Sequence, residues 1–225
     1  MSAGETAPAG GFRAIVFDFD GTLARLTIDF TAMRTAAQGL IARYPIPTDG
    51  LMQYHILEMI AEARNRIAQR DPAAAADFFR SAHALIAAIE MEAALRGSLF
   101  AGTEELLLEL ARRGIGTGIV TRNCRAAVVT TFPAIDRYCR IVLTRDDTER
   151  IKPHPAHLLA ALRALGSSAA DAAMVGDHPL DIRLGRDAGS FTVGVLTGHS
   201  TREALAAAGA DLVLPDAASL LNAIP

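Results

Sequence analysis

Lysine is almost missing from this chain. Of 22 basic residues, Lys152 is the only lysine and the rest are arginine. A planar guanidinium and a compact ammonium are not interchangeable where a point charge is needed. The single lysine therefore marks a candidate position that arginine does not fill, with chance survival as the alternative. Cysteine is scarce too: Cys124 and Cys139 are the only two, too few for a disulfide framework or a four-ligand zinc site. There is no basic excess, since 22 basic and 25 acidic residues leave a net charge of −3. That argues against a nucleic-acid partner. No run reaches the roughly 18 apolar residues of a membrane helix. Residues 1–11 include Glu5 and Pro8 and have neither the basic nor the apolar stretch of a secretory signal. The expectation is a soluble, cytoplasmic protein with no membrane partner and a loose N-terminal tail.

The chain has 225 residues, 51% hydrophobic and 21% charged, which reads as globular. That length suits one large domain, or a core domain with a modest insert. Residues 13–18 form a short apolar run that ends in acid, the pattern of a buried strand delivering side chains at its C-terminal end. From Gly102 onward, strands and helices alternate. Strands are expected at 115–120, 139–143, 172–175, 191–195 and 212–214. Helices are expected at 103–113, 125–131, 155–165, 179–188 and 201–208, with a final turn or two at 217–221. This alternation predicts an α/β fold: a Rossmann-like, mainly parallel sheet flanked by helices.

Residues 26–96 break the alternation. Ile56, Met59, Ile60, Ala63 and Ile67 recur at helical spacing, and no segment there reads as a strand. Three or four helices are expected, interrupted at Pro45, Pro47, Asp71 and Pro72. The division is then a core of residues 12–24 and 97–225 with an all-helical cap at 25–96, hinged at Arg25 and Leu26 and at 97–102.

Four segments carry chemistry. The first is Asp18-Phe19-Asp20-Gly21-Thr22-Leu23. Two carboxylates two apart on extended backbone point the same way, at the strand end where open α/β sheets bind ligands. Gly21 allows the tight turn that follows. The pair suits one carboxylate as nucleophile and metal ligand and the other for proton transfer. A turn or cap pair is the alternative, but buried strand-end acids are costly without a cation. The second segment, Gly176-Asp177-His178-Pro179-Leu180-Asp181, brings two more acids to another strand end. Oxygen ligands alone point to a hard cation, most simply Mg²⁺. Helix capping by Asp177 and a favourable helix-dipole position for Asp181 are the alternative. In the third, Val120-Thr121-Arg122-Asn123, a hydroxyl at a helix N-terminus suits a phosphate oxygen, although Thr and Asn are also ordinary caps. In the fourth, Pro153 and Pro155 stiffen the loop that carries Lys152, whose ammonium suits a phosphoryl group or an ionised carboxylate.

In this order, the four segments resemble the haloacid dehalogenase superfamily of phosphohydrolases. The helical insert and Val195-Leu196-Thr197-Gly198 resemble its phosphoglycolate-phosphatase-like branch. The resemblance implies that Asp18 forms an aspartyl-phosphate and that Asp20 protonates the leaving oxygen and then activates water. It implies that Thr121 and backbone amides around Gly21 and Asn123 bind the phosphoryl oxygens, while Lys152 offsets their charge. Asp18, the Asp20 carbonyl and Asp177 would hold Mg²⁺, and Asp181 would support that shell or orient Lys152. The implied partner is a small phosphorylated metabolite, phosphoglycolate first. A sugar-phosphate mutase or phosphotransferase and a phospho-accepting switch remain alternatives. A dehalogenase would not need Asp20 or the metal-site acids. A phosphonate hydrolase of this kind needs a cap lysine, and residues 25–96 hold none. Asp20 is expected to have a raised pKa, since it must carry a proton. His154, His157 and His178 are expected to serve a polar rim or packing.

Overall fold

The computed structural model describes residues 11–224, so the loose tail expected at 1–11 lies, except for Gly11, outside the described residues. The chain begins with β1 (Ala14–Phe17) and β2 (Ala24–Arg25). Helices α1 (Phe30–Ile41), α2 (Ile56–Ala68) and α3 (Pro72–Ala94) come next, then β3 (Ser98–Leu99). Alternation then sets in with α4 (Thr103–Arg112), β4 (Gly116–Val120), α5 (Arg125–Thr131), β5 (Ile141–Leu143) and α6 (Ala156–Leu165). It continues through β6 (Ala172–Gly176), α7 (Pro179–Ala188), β7 (Phe191–Val195), α8 (Arg202–Ala207), β8 (Leu212–Leu214) and α9 (Leu220–Ala223).

Six strands form one sheet in the order β5-β4-β1-β6-β7-β8, with every pairing parallel. A parallel sheet is covered on both faces, so its strands read as continuous apolar runs rather than as alternation. β1 fits this: Ala14, Ile15, Val16 and Phe17 are all fully buried. Ala14 and Val16 pack with Leu158, Ala161 and Leu162 of α6 and Leu184 of α7. Strand order reverses at β1, which lies between β4 and β6. Phe17 is level with Ile119 on one side and Val175 on the other. The loops after β1, β4 and β6 therefore leave from adjacent carboxyl ends, the usual ligand crevice of such a sheet.

The described chain divides into two units: residues up to Leu26 together with Ala94 onward, and Thr27–Ala93. The two expected hinges are instead a small antiparallel ribbon, in which Ala24 pairs with Leu99 and Arg25 with Ser98. Strands of two residues have no periodicity to read. Arg25, Leu26 and residues 94–96 fall in the sheet-bearing unit, so the helical unit is narrower than the 25–96 expected.

The helical unit follows its spacing. Met33, Ala37, Leu40 and Ile41 of α1, Met59, Ile60, Ala63 and Ile67 of α2, and Ala75, Phe78, Ala82 and Ile86 of α3 form one buried cluster. Each set recurs at three or four residues, one stripe per helix. Asp71 starts α3, accepting from the Ala73 and Ala74 N–H groups at 2.9 Å, with Pro72 at the first helical position where its missing N–H costs nothing. No helix among the described residues is long and apolar enough to cross a membrane.

Candidate active site

The loop after β1 is wound tightly. Gly21 has φ +82°, the left-handed region that glycine enters without penalty. Its N–H donates to the Ala24 carbonyl at 2.8 Å, and the Leu23 N–H donates to the Phe19 carbonyl at 2.9 Å. The turn sends the two acids into different surroundings. Asp18 Oδ1 accepts from Lys152 Nζ at 2.5 Å. Asp20 Oδ1 accepts instead from the Leu26 N–H at 2.8 Å. Burial raises the Asp18 pKa and the Lys152 charge opposes it, leaving it at about 6. Burial also raises Asp20, opposed mainly by the Leu26 N–H, to about 7. The raised value expected for Asp20 is present.

Lys152 is 3% exposed and lies between two carboxylates, reaching Asp181 Oδ1 at 2.8 Å as well as Asp18. Burial pulls the ammonium pKa down, but Asp18 and Asp181 together outweigh it and hold it above its ordinary value. Both Asp181 oxygens are hydrogen-bonded, the other accepting from the His178 N–H at 3.1 Å at the start of α7. His178 is the N-cap of that helix, its Nδ1 accepting from the Leu180 N–H at 3.1 Å. Capping therefore falls to His178 rather than Asp177, and Asp177 points elsewhere.

Asp177 joins Asp18 and Asp181 in the one cluster among the described residues with metal-ligand spacing, their oxygens within 4.8 Å of one another. Burial, then the charges of Asp18 and Asp181, push Asp177 up to about 8. Three buried carboxylates thus face a single ammonium. Their donor atoms are all oxygen, so the cluster fits a hard divalent cation and is under-neutralised without one. The side chain of Asp20, placed on the Leu26 N–H, is not part of this cluster.

Glycines give the acids their room. A Cβ on Gly21 would lie 2.6 Å from the Asp177 carboxyl carbon. On Gly176 it would overlap Asp181, and on Gly198 it would overlap Asp177. Two hydroxyls complete the enclosure. Thr22 donates to Asp177 Oδ1 at 3.2 Å, and Thr197 donates to the Gly21 carbonyl at 2.6 Å. Thr22, Thr197 and Gly198 were not among the candidate site residues. Thr22 lies within the first motif, which assigned it no role. Thr197 and Gly198 lie in the 195–198 segment that carries the branch resemblance, but the contact of Thr197 with Gly21 spans 176 positions and no local pattern signals it.

Thr121 follows β4 and is 2% exposed, with Asn123 at 5%. The Thr121 N–H donates to the Leu143 carbonyl at 3.0 Å, and its Oγ1 accepts from the Asn123 N–H at 3.2 Å. The Lys152–Pro153 bond is cis. Of the two roles expected for His157, the rim is excluded by its full burial, and both ring nitrogens are hydrogen-bonded. Both cysteines are buried, and neither forms a disulfide.

The family model for haloacid dehalogenase-like hydrolases matches residues 15–195. The chain belongs to this family. Pyrophosphatase PpaX of Bacillus cereus (strain AH820) is 37% identical to it over 119 residues, 52% of this chain and 55% of that protein. The chain thus spans about half the length of the curated relatives it matches. Among solved structures, a predicted phosphoglycolate phosphatase from Haemophilus somnus aligns with a TM-score of 0.65 at 21% identity, covering 94% of this chain and 97% of that one. A β-phosphoglucomutase from Clostridium difficile aligns at 0.66 and 19%, covering 93% of each chain. At these identities the structural likenesses establish the fold.

Proposed function

We propose that this protein is a Mg²⁺-dependent phosphomonoester hydrolase that works through an aspartyl-phosphate on Asp18 and acts on a small phosphorylated metabolite. The observation that carries this reading is the contrast between Asp18 and Asp20. Two acids of one turn are given different partners, an ammonium for Asp18 and a backbone N–H for Asp20. Such divided environments assign nucleophile and proton carrier.

Asp18, held ionised against Lys152, attacks phosphorus. The bond from phosphorus to the leaving oxygen breaks, and protonated Asp20 gives that oxygen its proton. Ionised Asp20 then takes a proton from water, whose oxygen attacks phosphorus. The Asp18–phosphorus bond breaks, restoring the carboxylate and releasing inorganic phosphate. A group titrating at about 7 populates both forms near neutrality, as this exchange requires. Asp18 and Asp177 would hold Mg²⁺ with the Asp20 carbonyl, and the ion would supply charge neutralisation at the phosphoryl oxygens. Thr121 and the N–H groups around Gly21 and Asn123 bind those oxygens, and Lys152 faces their charge. Asp181, with both oxygens engaged, orients Lys152. Phosphoglycolate and pyrophosphate are the first substrates to test, the second because of the relative's name.

The test is phosphate release from a panel of phosphoglycolate, pyrophosphate, sugar phosphates and nucleotides with Mg²⁺, run beside Asp18→Asn. Wild type should release phosphate from at least one of them, and Asp18→Asn should be slower by about 10⁴-fold or more. Equal rates would exclude Asp18 as nucleophile. Phosphoryl transfer from one hexose phosphate position to another, without release, would favour the mutase.

A further inference from the structure

We infer that His157 is a positioning residue that fixes Lys152 against the Thr121 loop, through a backbone hydrogen bond on one side and a shared carbonyl on the other. The inference rests on the proposed role of Lys152 and Thr121 as the two groups that face the phosphoryl oxygens.

Histidine 157 lies on α6, five residues after Lys152, and is 0% exposed. Its Nδ1 accepts from the Lys152 main-chain N–H at 3.2 Å. An imidazole nitrogen that accepts from an amide carries no proton, so the ring proton resides on Nε2. That nitrogen lies 3.1 Å from the Leu143 carbonyl and donates to it. The same carbonyl accepts from the Thr121 N–H at 3.0 Å. One oxygen at the end of β5 thus sets the place of Thr121 directly and of Lys152 through the ring. Burial, reinforced by the nearby Lys152 charge, pulls the His157 pKa down to about 4, so the tautomer persists at neutral pH.

The Lys152 backbone is held from the other side as well. Its carbonyl accepts from Arg122 Nη1 at 3.1 Å, and the Arg122 carbonyl accepts from Arg145 Nη1 at 3.0 Å. A long, flexible side chain has a defined endpoint only if its Cα is held. Lys152 Nζ must meet Asp18 and Asp181 together. Misplacement of a charged group by about 1 Å costs on the order of 10²-fold in rate.

Three substitutions separate positioning from packing. His157→Asn keeps an acceptor near Nδ1, His157→Gln keeps a donor near Nε2, and His157→Phe keeps the ring and neither polar atom. Each is followed by kcat and KM for phosphate release and by thermal melting. Because Lys152 is the only lysine, lysine labelled at its side-chain carbon and nitrogen also gives one reporter signal, read without turnover. His157→Phe should lower kcat by about 10²-fold and shift that signal in a protein that still folds. His157→Asn should recover most of the kcat and leave the signal near its wild-type position, with His157→Gln between them. A packing role predicts the reverse order, with Phe best, and that order would overturn the inference. So would a fall in kcat with an unmoved lysine signal. Should His157→Phe not fold, the Asn and Gln variants decide, since positioning requires Asn to exceed Gln. If wild type turned over no phosphoester while the signal shifted as expected, the phosphatase reading would fail and the positioning of Lys152 would stand.

Discussion

The helical unit and the strand-end loops work under opposite tolerances. In Thr27–Ala93 a buried stripe recurs at helical spacing, and each position asks only for an apolar group of roughly the right size. At the ends of β1, β6 and β7 a single added methyl collides with a carboxylate, so Gly21, Gly176 and Gly198 have room only for hydrogen where a Cβ would stand. One region averages over its contacts. The other depends on each of them. The difference explains why chemistry could be read from the core motifs while nothing in the insert names a substrate.

The largest expected effect on stability falls on the tolerant region. Phe78 is fully buried in the helical unit, its ring edge-on to Tyr44 with centroids 5.2 Å apart. Phe78→Ala should cost about 3–5 kcal/mol, measured by denaturant unfolding with hydrogen exchange on α1–α3. Ile60→Leu, which keeps the volume, should cost under about 1.5 kcal/mol. Equal costs would break the comparison, because shape rather than size would then rule the helical unit as well.

A smaller energy with a larger functional consequence is expected at Gly198. Gly198→Ala should displace Asp177 and weaken Mg²⁺ binding by about 10–100-fold, measured by calorimetry. The pH dependence sharpens the same point. Asp177 is raised from an ordinary 3.8 to about 8, so its protonated form is the one the metal-free fold favours. Its contribution is fully present below pH 3.8 and is lost as pH rises through about 8. Metal-free wild type should therefore melt at progressively lower temperature across that interval. Added Mg²⁺ should raise the melting temperature most at the alkaline end, and less in Gly198→Ala.

Legibility followed the same division. The parallel sheet was readable because strands covered on both faces are continuous apolar runs, as in Ala14–Phe17. The helical insert was readable because Met59, Ile60, Ala63 and Ile67 keep one stripe. Asp18, Asp20 and Asp177 stood out because charge at a strand end is expensive, and Lys152 because it is the chain's only lysine. The ribbon of Ala24–Arg25 and Ser98–Leu99 was too short to carry a period. Gly198 was noticed only as part of the 195–198 segment, because the reason for a glycine there lies in Asp177, 21 positions earlier. His157 sits at an apolar position of α6 and reads as packing. Its one signal was its place five residues after the chain's only lysine.

The central claim is that phosphoryl transfer passes through Asp18, and trapping the intermediate tests it most directly. Asp20→Asn mixed with Mg²⁺ and p-nitrophenyl phosphate, whose leaving group needs little protonation, should load Asp18 and then stall for want of a base. Acid quenching followed by peptide mass spectrometry should find one phosphoryl group, on Asp18, at near-stoichiometric occupancy. Phosphate turnover by wild type with no trapped phosphoryl group in Asp20→Asn, or with the group on another residue, would contradict the account.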